Sequence, residues 1–232
     1  PNARKVIEKV CSDIELSNDD FKFMDWRDGT VAGIKARVFR ISFTGELSYE
    51  VNVPAHYGRH IWEALIEAGE EFDITPYGTE TMHVLRAEKG FIIVGQDTDG
   101  SVTPQDMDMN WVVGKKKTFS FIGKRSLERS DCVREGRKQL VGLKTLDPTS
   151  VLPEGAQIVN DPNQAIPMAM QGHVTSSYYS ANLGHSIAMA VVKGGLKRMG
   201  EIVHCPLANG QTVAAEIVSS VFYDPKGDRH NV

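Results

Sequence analysis

The 232 residues of this chain leave room for one large domain or two small ones at roughly 150 residues per domain, enough to bury a core. With 41% hydrophobic and 24% charged residues, the composition excludes a disordered or collagen-like polymer. The 26 Lys and Arg against 30 Asp and Glu give a net charge of −4, with no basic excess to attract a phosphate backbone, so nucleic acid is not an expected partner.

The longest apolar runs, such as Ile187–Val192, fall far short of the roughly 18 to 20 residues that span a bilayer, and no membrane partner is expected. Three cysteines, Cys11, Cys132 and Cys205, are scattered without a CxxC pair. That pattern indicates neither a disulfide framework nor a thiolate metal site, and it fits a reducing, cytoplasmic setting. The chain opens Pro-Asn-Ala-Arg with neither Met nor a signal-type segment, so it is expected to be a fragment of something longer.

In chain order, the first half alternates strand-like and helix-like periodicities, an α+β pattern. Over 37–43, Phe39, Ile41 and Phe43 share one face and Val38, Arg40 and Ser42 the other, which predicts a half-buried strand. A second strand follows, with Tyr49, Val51 and Val53 on one side and Ser48, Glu50 and Asn52 on the opposite side. Thr44-Gly45-Glu46-Leu47 then reads as a hairpin connection. Tyr57, Ile61, Leu65 and Ala68 recur at helical spacing before Gly69, predicting a helix over 55–68. Another helix starts near Thr79, carries Met82, Val84 and Leu85 as its apolar stripe, and stops at Lys89-Gly90, a basic last turn followed by a glycine cap.

Residues 114–138 are crowded with Lys, Arg, Glu and Ser, the composition of an exposed connector. From about 139 the texture becomes β-rich. Short runs at Leu140–Leu143, Gln157–Val159, His173–Ser176, Ile187–Val192, Glu201–Cys205 and Thr212–Val218, separated by Gly, Pro and Asn, predict a small closed barrel or sandwich. The expected domains are 1–135 and 136–232.

Motifs for dinucleotides, P-loop phosphates and the hydrolase nucleophile elbow are absent, since there is no GxGxxG, GxxxxGK[ST] or GxSxG. Asp97-Thr98-Asp99-Gly100 resembles the opening of a calcium loop, but its glycine comes at the fourth position rather than the sixth, so an acidic turn is expected. His56 and His60 share a helical face but lack the Glu and third ligand of a metal site, which favours a solvated face. Lys115-Lys116-Lys117 and Lys124-Arg125 could attract an anionic tail, although a solvated connector accounts for them. Glu50 is the most informative single residue. A carboxylate on the face opposite Tyr49, Val51 and Val53 either meets solvent or lines a cleft. In a cleft, its two oxygens could accept parallel N–H bonds from the amino-pyrimidine edge of a pterin or guanine.

Ser42-Phe43-Thr44-Gly45-Glu46-Leu47-Ser48-Tyr49-Glu50 resembles the GYTGE-x-GFE motif of the folate-dependent aminomethyltransferase (glycine-cleavage T-protein) family. Pro1-Asn2-Ala3-Arg4 is similar to that family's GPxAR element, and Leu85-Arg86-Ala87-Glu88-Lys89-Gly90 to its LRxExG helix end. Thr103-Pro104, Trp111, Phe121-Ile122-Gly123-Lys124 and Leu127 fit its connector. Gly172-His173-Val174-Thr175-Ser176, Ser180, Leu183 and Ile187-Ala188 resemble its barrel signature. Within the family, the wording from Ile74 to Gly90, Ile93-Val94-Gly95-Gln96 and Val221-Phe222-Tyr223-Asp224 is most similar to the carboxy-terminal part of the α subunits of heterotetrameric sarcosine oxidases.

The resemblance implies a truncated aminomethyltransferase-type folate-binding α+β domain followed by a small C-terminal β-barrel. It implies a tetrahydrofolate site, with Glu50 holding the amino-pyrimidine edge of the pterin. Phe43 stands where the family usually has Tyr, keeping a stacking surface while losing a hydroxyl. Met82 stands where T-proteins carry a folate-contacting Arg. The family's catalytic Asp belongs to a segment upstream of the GPxAR element, so no catalytic residue is assigned in this chain, and the fragment alone is expected to be inactive. The implied activity is capture of the one-carbon unit of an oxidised sarcosine imine by tetrahydrofolate, giving 5,10-methylenetetrahydrofolate and glycine. Flavin and NAD are expected elsewhere in the complex, and the other oxidase subunits are expected partners. A T-protein-like aminomethyltransferase and a non-catalytic subunit-docking module are the alternatives.

Overall fold

The computed structural model describes residues 1–114 and 116–232, so the Lys115 end of the lysine run lies outside the described residues. Two compact units are present: Pro1–His83 with Asp224–Val232, and Val84–Tyr223. In this division residues 84–135 group with the strands that follow them.

The first unit contains α1 (Ala3–Val10), β1 (Trp26–Val31), β2 (Ile34–Phe39), β3 (Glu50–Asn52) and α2 (Gly58–Gly69). The three strands form one antiparallel sheet in the order β1-β2-β3. Val31, Ala36 and Val38 face inward and pack with Ile7, Leu16, Phe21 and Ile61, with half-buried Val51 against them. Because successive strand residues point to opposite faces, the outward face carries Trp26, Asp28 and Thr30, then Lys35, Arg37 and Phe39, then Glu50 and Asn52.

The sequence pattern misplaces part of this sheet. The predicted strand 37–43 ends at Phe39, and the hairpin lies between β1 and β2 rather than at 44–47. Its two-residue turn is Ala32-Gly33, with φ of 46° and 78°, the left-handed pair that matches the twist of a tight hairpin. The expected apolar face is also not the buried one. Phe43 is 44% exposed, whereas Val38 and Arg40 are buried. Arg40 is the reason the chain leaves the sheet there. Its guanidinium donates to the carbonyls of Phe21 and His230 and to Asn18 Oδ1, tying the strand end to the loop before β1 and to the last residues of the chain.

The predicted helix over 55–68 is present as a 3₁₀ turn at Ala55–Tyr57 followed by α2. The second predicted helix is α3 (Thr79–Glu88), which straddles the division between the units. Met82, Val84 and Leu85 are only half-buried, and the buried residues are Arg86, Ala87 and Glu88. The stripe read from hydrophobicity is therefore not the packed face.

In the second unit, the connector contains the short helix α4 (Ser130–Val133). Six strands follow: β4 (Lys138–Thr145), β5 (Gln157–Ile158), β6 (Gly172–Ser180), β7 (His185–Lys193), β8 (Ile202–Pro206) and β9 (Thr212–Val218). All six predicted runs are strands. They form one antiparallel sheet in the order β5-β6-β7-β4-β9-β8. Val159 and His204 bridge its two ends through backbone bonds of 2.8 and 2.9 Å, closing a barrel.

Val141, Leu143, Ile158, Val174, Ala188, Ala190, Val203, Ala215 and Ile217 fill the barrel. On the other side of β4 and β7, Leu140, Ile187, Met189 and Val191 pack with Ala87 and Met107. These strands are buried on both faces, which is why Ile187–Val192 reads as a continuous apolar run rather than an alternation. Cys205 is in the barrel interior, where burial pushes its thiol up to about 12, far from nucleophilic thiolate chemistry. No helix among the described residues is long and apolar enough to cross a membrane.

Candidate functional site

Glu50 begins β3, an edge strand, and stands directly opposite Phe39, which in turn stands opposite Trp26. Its side chain is exposed and makes no hydrogen bond or ion pair among the described residues. The Trp26 and Phe39 rings are tilted at 6.5 Å between centroids. The resulting row joins two aromatic side chains to an uncommitted carboxylate.

The next row is Asp28, Arg37 and Asn52. Arg37 donates from Nε and Nη2 to the two Asp28 oxygens at 2.8 and 3.1 Å, and its guanidinium lies 4.3 Å from the Trp26 ring centroid. These hydrogen bonds hold the Asp28 carboxyl below the usual carboxylate range and raise the Arg37 guanidinium. Asp28, Thr30, Lys35, Arg37, Phe39 and Asn52 line a hollow of about 790 Å³, within the size range of small-molecule sites.

Phe43 lies in the connection between β2 and β3 with its ring 44% exposed, and Met82 is half-buried in the first half of α3. No hydrogen bond or ring contact among the described residues joins either one to Glu50. The sequence pattern passed over β1, and with it the hollow. The available signal was Ala32-Gly33 between two alternating runs, masked by the strand-breaking Asp28-Gly29.

Among the described residues there is no cluster of His, Cys, Asp or Glu able to hold a metal ion. His56 and His60 are exposed, and a His60 ring nitrogen lies 2.9 Å from the Ala32 carbonyl. In the connector, Lys117 lies over the Phe119 and Phe121 rings at 5.7 Å each and is exposed.

In the second unit, the residues of the LRxExG-like segment have an inward role. Arg86 and Asp97 are fully buried and pair at 2.6 Å. Arg86 also donates to Ser176 Oγ at 2.7 Å and to the Phe91 carbonyl at 3.0 Å. Asp97 accepts from Thr175 and Ser176 hydroxyls at 2.6 and 2.7 Å and from the Ile93 amide at 2.9 Å. Glu88 accepts from Ser180 Oγ at 2.6 Å and Asn182 Nδ2 at 2.9 Å. Both Asp97 oxygens are thus bonded by protein, which makes Asp97 a structural anchor.

Two family models match the chain: a GCVT N-terminal domain over residues 1–117 and a glycine cleavage T-protein C-terminal barrel domain over residues 138–224. The sarcosine oxidase subunit alpha of Corynebacterium sp. (strain P-1) is 50% identical over the whole chain, which covers 24% of that protein. An aminomethyltransferase of Halothermothrix orenii is 32% identical over 96% of the chain and 58% of its own length. The crystal structure of the glycine cleavage system aminomethyltransferase T from Bartonella henselae superposes with a TM-score of 0.74 at 23% identity, over 88% of this chain and 53% of that one. The chain therefore spans about a quarter of the oxidase subunit and over half of the aminomethyltransferases it matches. With the first model covering half of the residues and the second covering the barrel, the chain belongs to the glycine-cleavage T-protein family and has the aminomethyltransferase fold.

Proposed function

We propose that the first unit contributes a tetrahydrofolate site to a sarcosine-oxidase-type α subunit, with Glu50 as its anchoring carboxylate. The observation that carries this is the state of Glu50: exposed, unpaired among the described residues and set beside an aromatic row. A carboxylate in that state fits the two N–H donors of an amino-pyrimidine edge, since ionic N–H···O bonds made in pairs are both strong and directional. Phe43 offers an exposed ring for stacking, and Met82 an apolar contact in place of a basic one.

Tetrahydrofolate supplies, when bound, the nitrogen nucleophile that accepts a one-carbon unit. The proposed reaction transfers that unit from an oxidised sarcosine imine to give 5,10-methylenetetrahydrofolate and glycine. The 50% identity to a sarcosine oxidase α subunit, against 32% to an aminomethyltransferase, supports the oxidase setting. In that setting, flavin, NAD and the other subunits belong to parts of the assembly outside this chain. What the chain's own residues contribute is orientation: a fixed carboxylate converts an encounter into a held geometry.

Calorimetric titration of tetrahydrofolate into the chain and its Glu50→Gln variant tests the proposal. Loss of binding by a variant with unchanged circular dichroism is expected. Equal affinity of the two would overturn it and favour a subunit-docking role.

A further inference from the structure

The outward sheet face holds more uncommitted polar groups than Glu50. Asp28 and Arg37 are spent on each other, and Arg37 covers Trp26. Asn52, two residues after Glu50 on the same strand and face, and Lys35, one row further along β2, are both exposed and make no side-chain hydrogen bond or ion pair among the described residues. Taken in order along the strands, the face presents a carboxylate beside aromatic rings, then a carboxamide, then an ammonium. Two rows separate Glu50 from Lys35, about 13 Å at roughly 3.3 Å per residue. The hollow includes Lys35, Arg37, Phe39 and Asn52; Glu50 is not among its lining residues and stands beside it, opposite Phe39.

The complementary ligand is an elongated molecule with a flat donor-edged head, an amide in its middle and a carboxylate at its far end. We propose that the sheet binds tetrahydrofolate lengthwise: the pterin at Glu50, the aminobenzoyl amide at Asn52 and the glutamate tail at Lys35. This rests on the folate assignment made above and extends it. Lys35 becomes the residue that distinguishes a tailed folate from a bare pterin. A Lys ammonium suits that role as a point charge on a flexible stem, able to follow a mobile carboxylate without demanding a fixed bidentate geometry.

The test compares tetrahydrofolate with 6-methyltetrahydropterin, which lacks the tail, by calorimetry on the unaltered chain, Lys35→Glu, Lys35→Gln and Glu50→Gln. The expected result is that Lys35→Glu weakens tetrahydrofolate by about fivefold, the scale of an exposed ion pair, and Lys35→Gln by less. Both Lys35 variants should leave 6-methyltetrahydropterin within about twofold. Glu50→Gln should weaken both ligands. The tail effect should fade as salt is raised, since exposed charges are screened. If Lys35→Glu leaves tetrahydrofolate unchanged, or weakens both ligands alike, the lengthwise placement fails while a Glu50-dependent loss still upholds the folate site. If Glu50→Gln leaves both affinities intact, or the unaltered chain binds neither ligand, both assignments fail together.

Discussion

Two groups of polar side chains, one in each unit, are in opposite states. In the second, Arg86, Asp97 and Glu88 are buried and each is bonded to side chains from the barrel strands or the turns beside them. In the first, Glu50, Asn52 and Lys35 stand exposed on the outward sheet face with no side-chain hydrogen bond or ion pair among the described residues. A buried charge held by a counter-charge and hydrogen bonds from the protein has structure as its work, and the large cost of desolvating it makes those partners indispensable. A charge left unpaired costs the fold little and keeps its bonding capacity for something else.

Four substitutions or conditions would break or sharpen this contrast. The largest effect is expected from Asp97→Ala, which leaves Arg86 buried with no counter-charge. Breaking such a pair costs about 3 to 5 kcal/mol, read as a fall in the denaturant midpoint, and a change below about 1 kcal/mol would show the pair to be incidental. Gly172→Ala comes next. A Cβ there would press into the Val191 carbonyl on the neighbouring strand, and forcing β6 from β7 should cost about 1 to 3 kcal/mol.

The third lies in the pH dependence of the second unit. Burial works to raise the Asp106 carboxyl, yet hydrogen bonds from Arg137 and Thr103 outweigh it and hold the group below its ordinary value. A depressed folded-state pKa gives stability that is complete above the unfolded value of about 3.9 and is lost as pH falls below it through the folded value. Denaturant midpoints should therefore drop steeply below about pH 4, with a shallower slope in Asp106→Asn; identical slopes would remove Asp106 from the account. The smallest stability effect is expected from Glu50→Ala, within about 0.5 kcal/mol of the parent. A large loss of stability there would mean that Glu50 holds the fold together and would erase the contrast.

Legibility from the sequence followed the same division. The six barrel strands were readable because β-branched runs bounded by Gly, Pro and Asn depend only on near neighbours. The helices at 55–69 and 79–88 were readable for the same reason. What failed was the identity of the packed face. On α3 the apolar residues suggested Met82, Val84 and Leu85, while the fold buries Arg86 and Glu88. Those charges are tolerated because Asp97 pairs with Arg86 and because Ser176 and Ser180 bond Arg86 and Glu88 from about 90 residues away in sequence, pairings no local pattern contains. Arg40 behaves likewise, with one carbonyl partner 190 residues distant.

The pairing of Asp97 with Arg86 was hidden in the same way. Glu50 was legible as a candidate from strand alternation and from its motif. Its neighbours Lys35 and Asn52 were not, because β1 was hidden by Asp28-Gly29 and the register of the sheet could not be built without it.

The closure of the barrel at Val159 and His204 carries a consequence for its motions. Five of the six strand junctions are multi-residue ladders, but the sixth is a single rung of two backbone bonds. While that rung is intact the cylinder offers no strand edge to a neighbouring molecule. Once it opens, β5 and β8 become two such edges at a stroke. Amide protons at Val159 and His204 should exchange with deuterium ahead of those in β4 and β7, and the frequency of that opening would set how often the barrel can be recruited into an aggregate.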